Sequence, residues 1–144
     1  MIEQKKILLN YQLPSRLEAI EILADEVKNA LADYQDCVFP VNLCLDELIT
    51  NTVMYGLKGA CDRTIEVEIR ATEHYLEIQI TDDAPPFDPF LNAPHPDLTA
   101  TIEARKIGGL GIYFVEKMMN EYHAHYDGQH NVTTLRKFLN QTNQ

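Results

Sequence analysis

Two neighbouring segments alternate apolar and polar residues with a period of two, which constrains the fold more than any other feature. Between Asp62 and Ala71 the isoleucines and the valine share one side, and charged residues occupy the other. After a short turn near Glu73, the segment from Leu76 to Ile80 repeats the pattern. This period is typical of half-buried strands, and the short connection predicts an antiparallel hairpin. The apolar side of this hairpin therefore needs a covering layer.

Segments with helical periodicity can supply that layer. Ser15 and Glu18 have the spacing of a capping box, and the apolar repeat that follows predicts a helix to about Tyr34. The segment Gln35 to Pro40 is interpreted as a break before a second helix. That helix is expected to end around Gly56 to Gly59, where glycines can adopt a left-handed conformation.

A third helix and a closing hairpin complete the order of elements. Apolar residues recur at helical spacing from Ile112 onward, and strands are predicted over Tyr122–Asp127 and Val132–Leu139. Strands and helices do not alternate along the chain, which argues against a doubly wound parallel sheet. The predicted class is α+β, a two-layer α/β sandwich with helices on one face of a mixed, mostly antiparallel sheet.

Composition narrows the partners that this chain can bind. Its 144 residues predict one domain, spanning 1–144, and its formal net charge of -10 argues against nucleic-acid binding. A bound nucleotide would therefore need backbone N–H groups, local positive charge and a metal ion. The sequence contains no apolar run of membrane-spanning or signal-peptide length, so no membrane is expected. The three cysteines form no C-x-x-C pair, and the cytoplasm is the expected location.

Glu47 and Asn51 are the first residues that suggest chemistry. They lie four residues apart, so the second helix projects both from one face. A carboxylate can orient or deprotonate a hydroxyl, and an amide oxygen is a ligand that Mg²⁺ accepts. Such a pair is more often part of a solvated helix face, so the interpretation depends on what the fold places nearby.

Asp82 continues the alternation of the second strand. Stepping by two from Ile80 places this carboxylate on the apolar face at the strand's end. A buried carboxylate needs a partner, so Asp82 is a candidate acceptor for a ligand donor such as an exocyclic amine. The alternative is a frayed strand end, in which Asp82 points into water or caps a turn.

A long loop and a glycine-rich turn follow Asp82. Residues 83–106 contain five prolines, and a lid loop is assigned to about residues 84–108. Its basic end, Arg105-Lys106, meets the turn Gly108–Gly111, which opens a helix. Backbone N–H groups at such a helix start attract phosphate, and the two basic residues add positive charge. The alternative is a hinge before a core helix.

Three motifs together resemble those of a known superfamily. Glu47-Leu-Ile-Thr-Asn51 resembles the N-box of the GHKL, or Bergerat-fold, ATPases. The segment Asp82–Pro89 resembles their D-x-G-x-G box, and Gly108–Gly111 resembles their second glycine box. Chain length, the Phe-Asp-Pro of the first box and the run Gly-Gly-Leu-Gly-Ile-Tyr-Phe-Val are most similar to bacterial anti-sigma-factor serine/threonine kinases. The resemblance covers nearly the whole chain.

This resemblance implies a site for ATP and Mg²⁺ between the helices and the lid. Asn51 would bind Mg²⁺, Asp82 would accept a hydrogen bond from the adenine amino group, and Glu47 would be the base for a serine hydroxyl. The other implied cofactor-binding residues are Ala84, Phe87, Arg105, Lys106, Gly108, Gly109, Leu110, Gly111 and Thr133.

The sequence departs from the family pattern at both ends of this site. Ala84 and Pro86 replace the glycines of the first box. Alanine at a position that requires positive φ costs about 1 kcal/mol, and proline removes a backbone donor. The threonine expected in the last hairpin has three candidates, namely Asn131, Thr133 and Thr134. Nucleotide affinity is therefore expected to be lower than the family suggests.

Two functions from different classes remain open at the level of sequence. The first is an anti-sigma kinase, which transfers the ATP γ-phosphate to a serine of an anti-anti-sigma antagonist and sequesters a sigma factor. The second is a partner-binding module without kinase activity, which holds nucleotide structurally or not at all. A further strand is predicted over Lys5 to Leu13, before the first helix, and the resemblance also implies a homodimer formed through this strand and helix.

Overall fold

Five strands and four helices form the part of the chain that the computed structural model describes, residues 4–92 and 109–139. The strands are β1 (Lys6–Pro14), β2 (Thr64–Ala71), β3 (Tyr75–Asp82), β4 (Glu121–Tyr126) and β5 (Asn131–Phe138). The helices are α1 (Ala19–Ala30), α2 (Gln35–Asn51), α3 (Pro89–Asn92) and α4 (Gly109–Met118). A π-helical turn, Thr52–Gly56, continues α2.

The strands form one sheet in the order β1-β2-β3-β5-β4. Each of the four neighbouring pairs is antiparallel, so the sheet has no parallel pair within residues 4–92 and 109–139. Short turns join β2 to β3 and β4 to β5, and such connections can join only antiparallel neighbours. The α+β class is confirmed, and in the described part the sheet is wholly rather than mostly antiparallel.

One apolar core lies between the sheet and the helices. The alternating residues of β2 and β3 are buried as predicted, and α2 contributes its inward side chains to the same cluster. Helix α1 packs on β1 and α2, and α2 packs on α4. Helix α2 therefore lies at the centre of the helical layer, in contact with both of the other long helices. None of the described helices has both the length and the apolarity needed to cross a bilayer.

The capping box predicted at Ser15 is wrong. Helix α1 begins at Ala19, and the Ser15 hydroxyl instead donates to the carbonyl oxygen of Ala60 at 2.7 Å. The Ser15 hydroxyl oxygen also accepts the N–H of Arg63 at 3.2 Å. Ser15 is almost fully buried where β1 meets the loop before β2. A buried hydroxyl must be paired, and this loop supplies both a donor and an acceptor.

The break predicted over Gln35 to Pro40 is also wrong. Helix α1 ends at Ala30, and α2 already begins at Gln35, so that Pro40 lies inside it. A proline removes one backbone hydrogen bond from a helix. Here Cys37 and Val41 flank the proline and belong to the buried core. The buried face of α2 therefore extends on both sides of Pro40.

The end of the second helix agrees with the prediction. The π-helical turn ends at Gly56, and Lys58 and Gly59 then take positive φ values of 53° and 82°. The N–H of Gly59 closes the turn by donating to the carbonyl oxygen of Val53 at 2.7 Å. The glycine at 59 thus serves as the left-handed cap that the sequence predicted.

The face of the sheet opposite the helices carries an ion cluster centred on Glu77. Lys5 Nζ lies 3.0 Å from one carboxylate oxygen of Glu77, and Arg136 Nε lies 2.9 Å from the other. The Arg136 guanidinium also lies over the ring of Tyr75, 4.6 Å from its centroid. Burial disfavours the charged form of Glu77, but the hydrogen bonds from Lys5 and Arg136 outweigh it and hold its pKa below the usual value.

We expect Glu77→Gln to destabilise the fold by about 1–2 kcal/mol at pH 7, because two charge-assisted hydrogen bonds are lost and both cations are partly screened by solvent. A lowered folded-state pKa means that this stability is present above the unfolded pKa and is lost as pH falls through the folded one. Urea unfolding at pH 7 and pH 3 measures both effects. Glu66→Gln on the same face is the control, and a difference from wild type that does not shrink at pH 3 would contradict the assignment.

Candidate functional site

Glu47 on α2 meets Gly111 in the first turn of α4. A β-carbon at position 111 would lie 2.6 Å from Cδ of Glu47 and 2.8 Å from its Cγ. Real β-carbons do not approach heavy atoms this closely, so only glycine fits beside the carboxylate in this arrangement. The contact brings together two sequence motifs that are far apart in the chain.

The environment of Glu47 suits proton transfer. Its side chain is half-buried, and burial raises the pKa of its carboxyl group, with a further contribution from the negative charge of Asp46. A carboxylate with a raised pKa accepts a proton more readily at neutral pH than an ordinary one does. The arrangement can therefore supply a general base beside the start of a helix.

Asn51 lies one turn further along α2 and is only 2% exposed. Its Nδ2 has no hydrogen-bond partner among the described residues. A buried donor without a partner costs about 1–3 kcal/mol, which a ligand with an acceptor oxygen would recover. A polar ligand with an acceptor oxygen, such as a phosphate group, would pair this amide.

The Asn51 side chain also has an amide oxygen, which is a ligand that Mg²⁺ accepts. The part of the chain that the structure describes contains no group of three or more His, Cys, Asp or Glu that could hold a metal by itself. Mg²⁺ is usually held by one or two protein oxygens together with substrate phosphates and water. The amide oxygen of Asn51 matches that pattern, so the site fits a metal that arrives with a nucleotide.

Asp82 ends β3 on the helix-facing side of the sheet and is 7% exposed. The strand-alternation prediction is confirmed, since β3 extends to Asp82 and the side chain is buried. The frayed, water-facing form of the alternative is wrong, but its turn-capping form is observed, because Asp82 accepts the N–H two residues further on. Its Oδ1 accepts the N–H of Ala84 at 2.9 Å and the side-chain amide of Asn131 at 3.0 Å. Burial raises the pKa of Asp82, while the hydrogen bonds from Asn131 and Ala84 act against that rise.

The segment after Asp82 packs against the end of the π-helical turn. A β-carbon at Gly56 would lie 3.5 Å from Cδ2 of Phe87 and 3.8 Å from Cβ of Ala84, which is ordinary van der Waals contact. The strain expected at Ala84 is absent, since Lys58 is the only non-glycine residue with positive φ within residues 4–92 and 109–139. Alanine is accepted here because the backbone does not need the left-handed region.

Two residues hold this segment: Arg63, which the sequence did not suggest, and Asn131, one of the three candidates in the last hairpin. Arg63 donates to the carbonyl oxygen of Asp83 at 2.8 Å and to its side chain at 3.0 Å. On the other side, Asn131 lies directly opposite Asp82 in the pairing of β3 with β5. That pairing places Thr133 opposite Ile80, buried on the same face. The register of β5 against β3 distinguishes Asn131 from Thr133 and Thr134, because only Asn131 lies directly opposite Asp82.

Several predicted site residues lie outside the described part of the chain. These are Arg105, Lys106 and Gly108, together with residues 93–108 of the assigned lid loop. Gly109 and Leu110 form the first two positions of α4. The structure therefore brings Glu47 and Gly111 together, with Asn51 one turn further along α2, and it places Ala84 and Phe87 beside Gly56 at the end of the π-helical turn.

Comparison with known proteins adds to this geometry. A family model described as the histidine kinase-like ATPase domain matches residues 13–137. The chain is 28% identical over 141 residues to the serine-protein kinase RsbW of Listeria monocytogenes, covering 92% of this chain and 88% of that protein. RsbW of Listeria innocua is 27% identical over the same coverage. RsbW of Bacillus licheniformis is 28% identical over 134 residues, covering 88% of this chain and 81% of that protein.

The matched residues run from the end of β1 almost to the end of β5, and so take in four of the five strands and the helices that carry Glu47 and Gly111. The extent of this match and the observed antiparallel sheet with its covering helices point to the same fold. The chain belongs to the histidine kinase-like ATPase domain family.

Proposed function

We propose that this chain is an ATP-dependent protein serine/threonine kinase of the anti-sigma type. It transfers the γ-phosphate of ATP to a serine of an anti-anti-sigma antagonist protein and also sequesters a sigma factor. The contact between Glu47 and Gly111 carries this proposal, because it sets a half-buried carboxylate beside a glycine turn suited to phosphate. The serine-protein kinases among its relatives support the same reaction class.

Each residue of the site has one role in this proposal. Asp82 accepts a hydrogen bond from the adenine amino group, with Ala84, Phe87 and Thr133 lining the base. Asn51 binds Mg²⁺, which offsets the negative charge of the phosphates. The glycine turn Gly108–Gly111, including Leu110, lies against the phosphates.

Glu47 orients the attacking serine hydroxyl and takes its proton as the phosphoryl group is transferred. A positioned base of this kind contributes about 10²–10⁴ to the rate. Phosphoryl transfer otherwise depends on positioning and charge neutralisation. Arg105 and Lys106 add positive charge for the phosphates in a chain whose formal net charge is -10.

A second candidate function follows from the backbone after Asp82. The N–H of Ala84 is bonded to Asp82, and the N–H of Phe87 is bonded to the side chain of Asn131. Pro85 and Pro86 have no N–H at all. The backbone from Ala84 to Phe87 therefore has no free donor for a ligand, which favours a module that binds a partner and holds nucleotide weakly or not at all.

A homodimer through β1 and α1 also remains a prediction. Ile7 on the edge strand β1, Leu17 just before α1 and Ile22 on α1 are all exposed, so this side of the molecule offers apolar surface. A partner subunit could bury that surface, since exposed apolar groups gain free energy when they leave water.

Titration with Mg-ATP in a calorimeter separates the two functions. We expect wild type to bind Mg-ATP and Asp82→Asn to bind it about 10–100-fold more weakly, because a charge-assisted hydrogen bond to the adenine amine is worth about 1.5–3 kcal/mol. Asp83→Asn is the matched control, since Asp83 is exposed and keeps its backbone bond to Arg63.

The phosphotransfer assay completes this test. With the antagonist protein and Mg-ATP, the kinase proposal requires transfer of the γ-phosphate to serine. A folded wild type that binds the antagonist but neither binds Mg-ATP nor transfers phosphate would overturn that proposal in favour of the partner-binding module.

A further inference from the structure

The side-chain amide of Asn131 makes four hydrogen bonds to Asp82 and to the segment that follows it. This residue starts β5 and is 4% exposed. Its Nδ2 lies 3.0 Å from Oδ1 of Asp82, 3.1 Å from the carbonyl oxygen of Ala84 and 3.0 Å from that of Pro85. Its Oδ1 accepts the N–H of Phe87 at 2.8 Å. Because the nitrogen faces three acceptors and the oxygen faces a donor, the amide can adopt only one orientation.

Asn131 and the N–H of Ala84 together determine how the Asp82 carboxylate is turned. Both donors reach Oδ1, and within the described residues no side-chain or turn hydrogen bond reaches Oδ2. Oδ1 is therefore occupied by hydrogen bonds within the protein, and Oδ2 can still accept a hydrogen bond from a ligand. A carboxylate held at one oxygen by two donors cannot rotate freely without leaving a buried donor unpaired.

The same amide shapes the backbone that follows. Three backbone groups between Ala84 and Phe87 bond to it, and on the far side Arg63 holds Asp83. Ala84 is buried with an ordinary negative φ, so the turn does not rely on glycine flexibility. Side chains from β5 and from the loop before β2 thus hold a segment whose own sequence carries no glycine.

We propose that Asn131 is a positioning residue, which fixes the Asp82 carboxylate and the Ala84–Phe87 segment so that the site prefers adenine to guanine. The inference rests on the proposed function, in which Asp82 faces the base. Adenine presents an amine donor at the position where guanine presents a carbonyl acceptor. A carboxylate oxygen held in one place accepts from the amine and repels the carbonyl, whereas a carboxylate free to turn discriminates less.

Calorimetric titration with Mg-ATP and Mg-GTP tests this inference on the full chain. We expect Asn131→Ala to weaken ATP binding about 10-fold or more and to change GTP binding by less than about threefold, so the ATP-to-GTP affinity ratio falls. Asn10→Ala is the matched control, because Asn10 bonds to Glu68 at 3.0 Å on the opposite face of the sheet. It should leave both affinities and their ratio unchanged.

A second variant guards against loss of folding. Asn131→Ser keeps a small polar group at the start of β5 but is too short to reach Asp82 and Phe87 together, so it should show the same fall in the ratio. Equal weakening of ATP and GTP in a folded variant would mean that Asn131 is merely structural, and it would overturn this inference alone. A wild type that binds neither nucleotide would overturn both this inference and the proposed function.

Discussion

Glu47→Gln is expected to lower the rate of phosphotransfer about 10²–10⁴-fold while leaving the affinity for Mg-ATP within about threefold of wild type. Glutamine keeps the size of the side chain and its packing beside Gly111, but it cannot take a proton from the serine hydroxyl. The loss should therefore appear in the transfer step and not in nucleotide binding. Single-turnover transfer of the γ-phosphate to the antagonist, together with calorimetry, measures the two quantities separately.

The neighbouring Asp46 provides the control for this prediction. Asp46→Asn should remain active at neutral pH, because the base is intact. Its removal takes away the smaller of the two causes that raise the pKa of Glu47, so the acid limb of the pH–rate profile should move to lower pH. A Glu47→Gln variant with near wild-type transfer would contradict the assignment of Glu47 as the base.

Gly111→Ala is expected to reduce phosphotransfer about 100-fold, even though it adds only one methyl group. The new β-carbon would overlap the Glu47 carboxylate, so either the carboxylate moves or α4 shifts away from α2. A displacement of about 1 Å in a catalytic group can cost this much in rate. The atoms that the β-carbon would meet all belong to the flexible Glu47 side chain, so the free energy of unfolding, measured with urea, should change less than it does for overpacking of a rigid core.

Gly56→Ala is the matched control for this substitution. A β-carbon there would meet Phe87 at 3.5 Å, an ordinary contact, so activity and stability should change little. If Gly111→Ala acts through Glu47, then the double variant with Glu47→Gln should be no slower than Glu47→Gln alone. Additive losses in the double variant would show that Gly111 acts independently of the base.

Local sequence patterns predicted the parts of the fold that depend on periodicity. The alternation through β2 and β3 predicted both strands and the buried side of Asp82, because side chains in a strand alternate strictly between its two faces. The glycine at 59 predicted the end of the second helix, since a left-handed residue needs little beyond its own backbone freedom.

Predictions failed where a distant part of the chain supplied the deciding contact. Ser15 has the sequence of a helix cap, yet the loop at Ala60 and Arg63 offers its hydroxyl a better-paired buried position. Pro40 is typical of a helix break, yet α2 runs through it because the residues around it pack into the core. Neither outcome can be read from neighbouring residues, because both depend on packing between elements far apart in the chain.

The sequence by itself determined the two-layer architecture and the residue types that can perform the chemistry. Only the tertiary structure decided which of them meet: Glu47 against Gly111, and Asn131 against Asp82. Periodicity places a side chain on a face, but it carries no information about the partner across the interface. That partner depends on how the helices pack and on the register of β5 against β3, where a shift of one residue would turn Asn131 to the other face of the sheet.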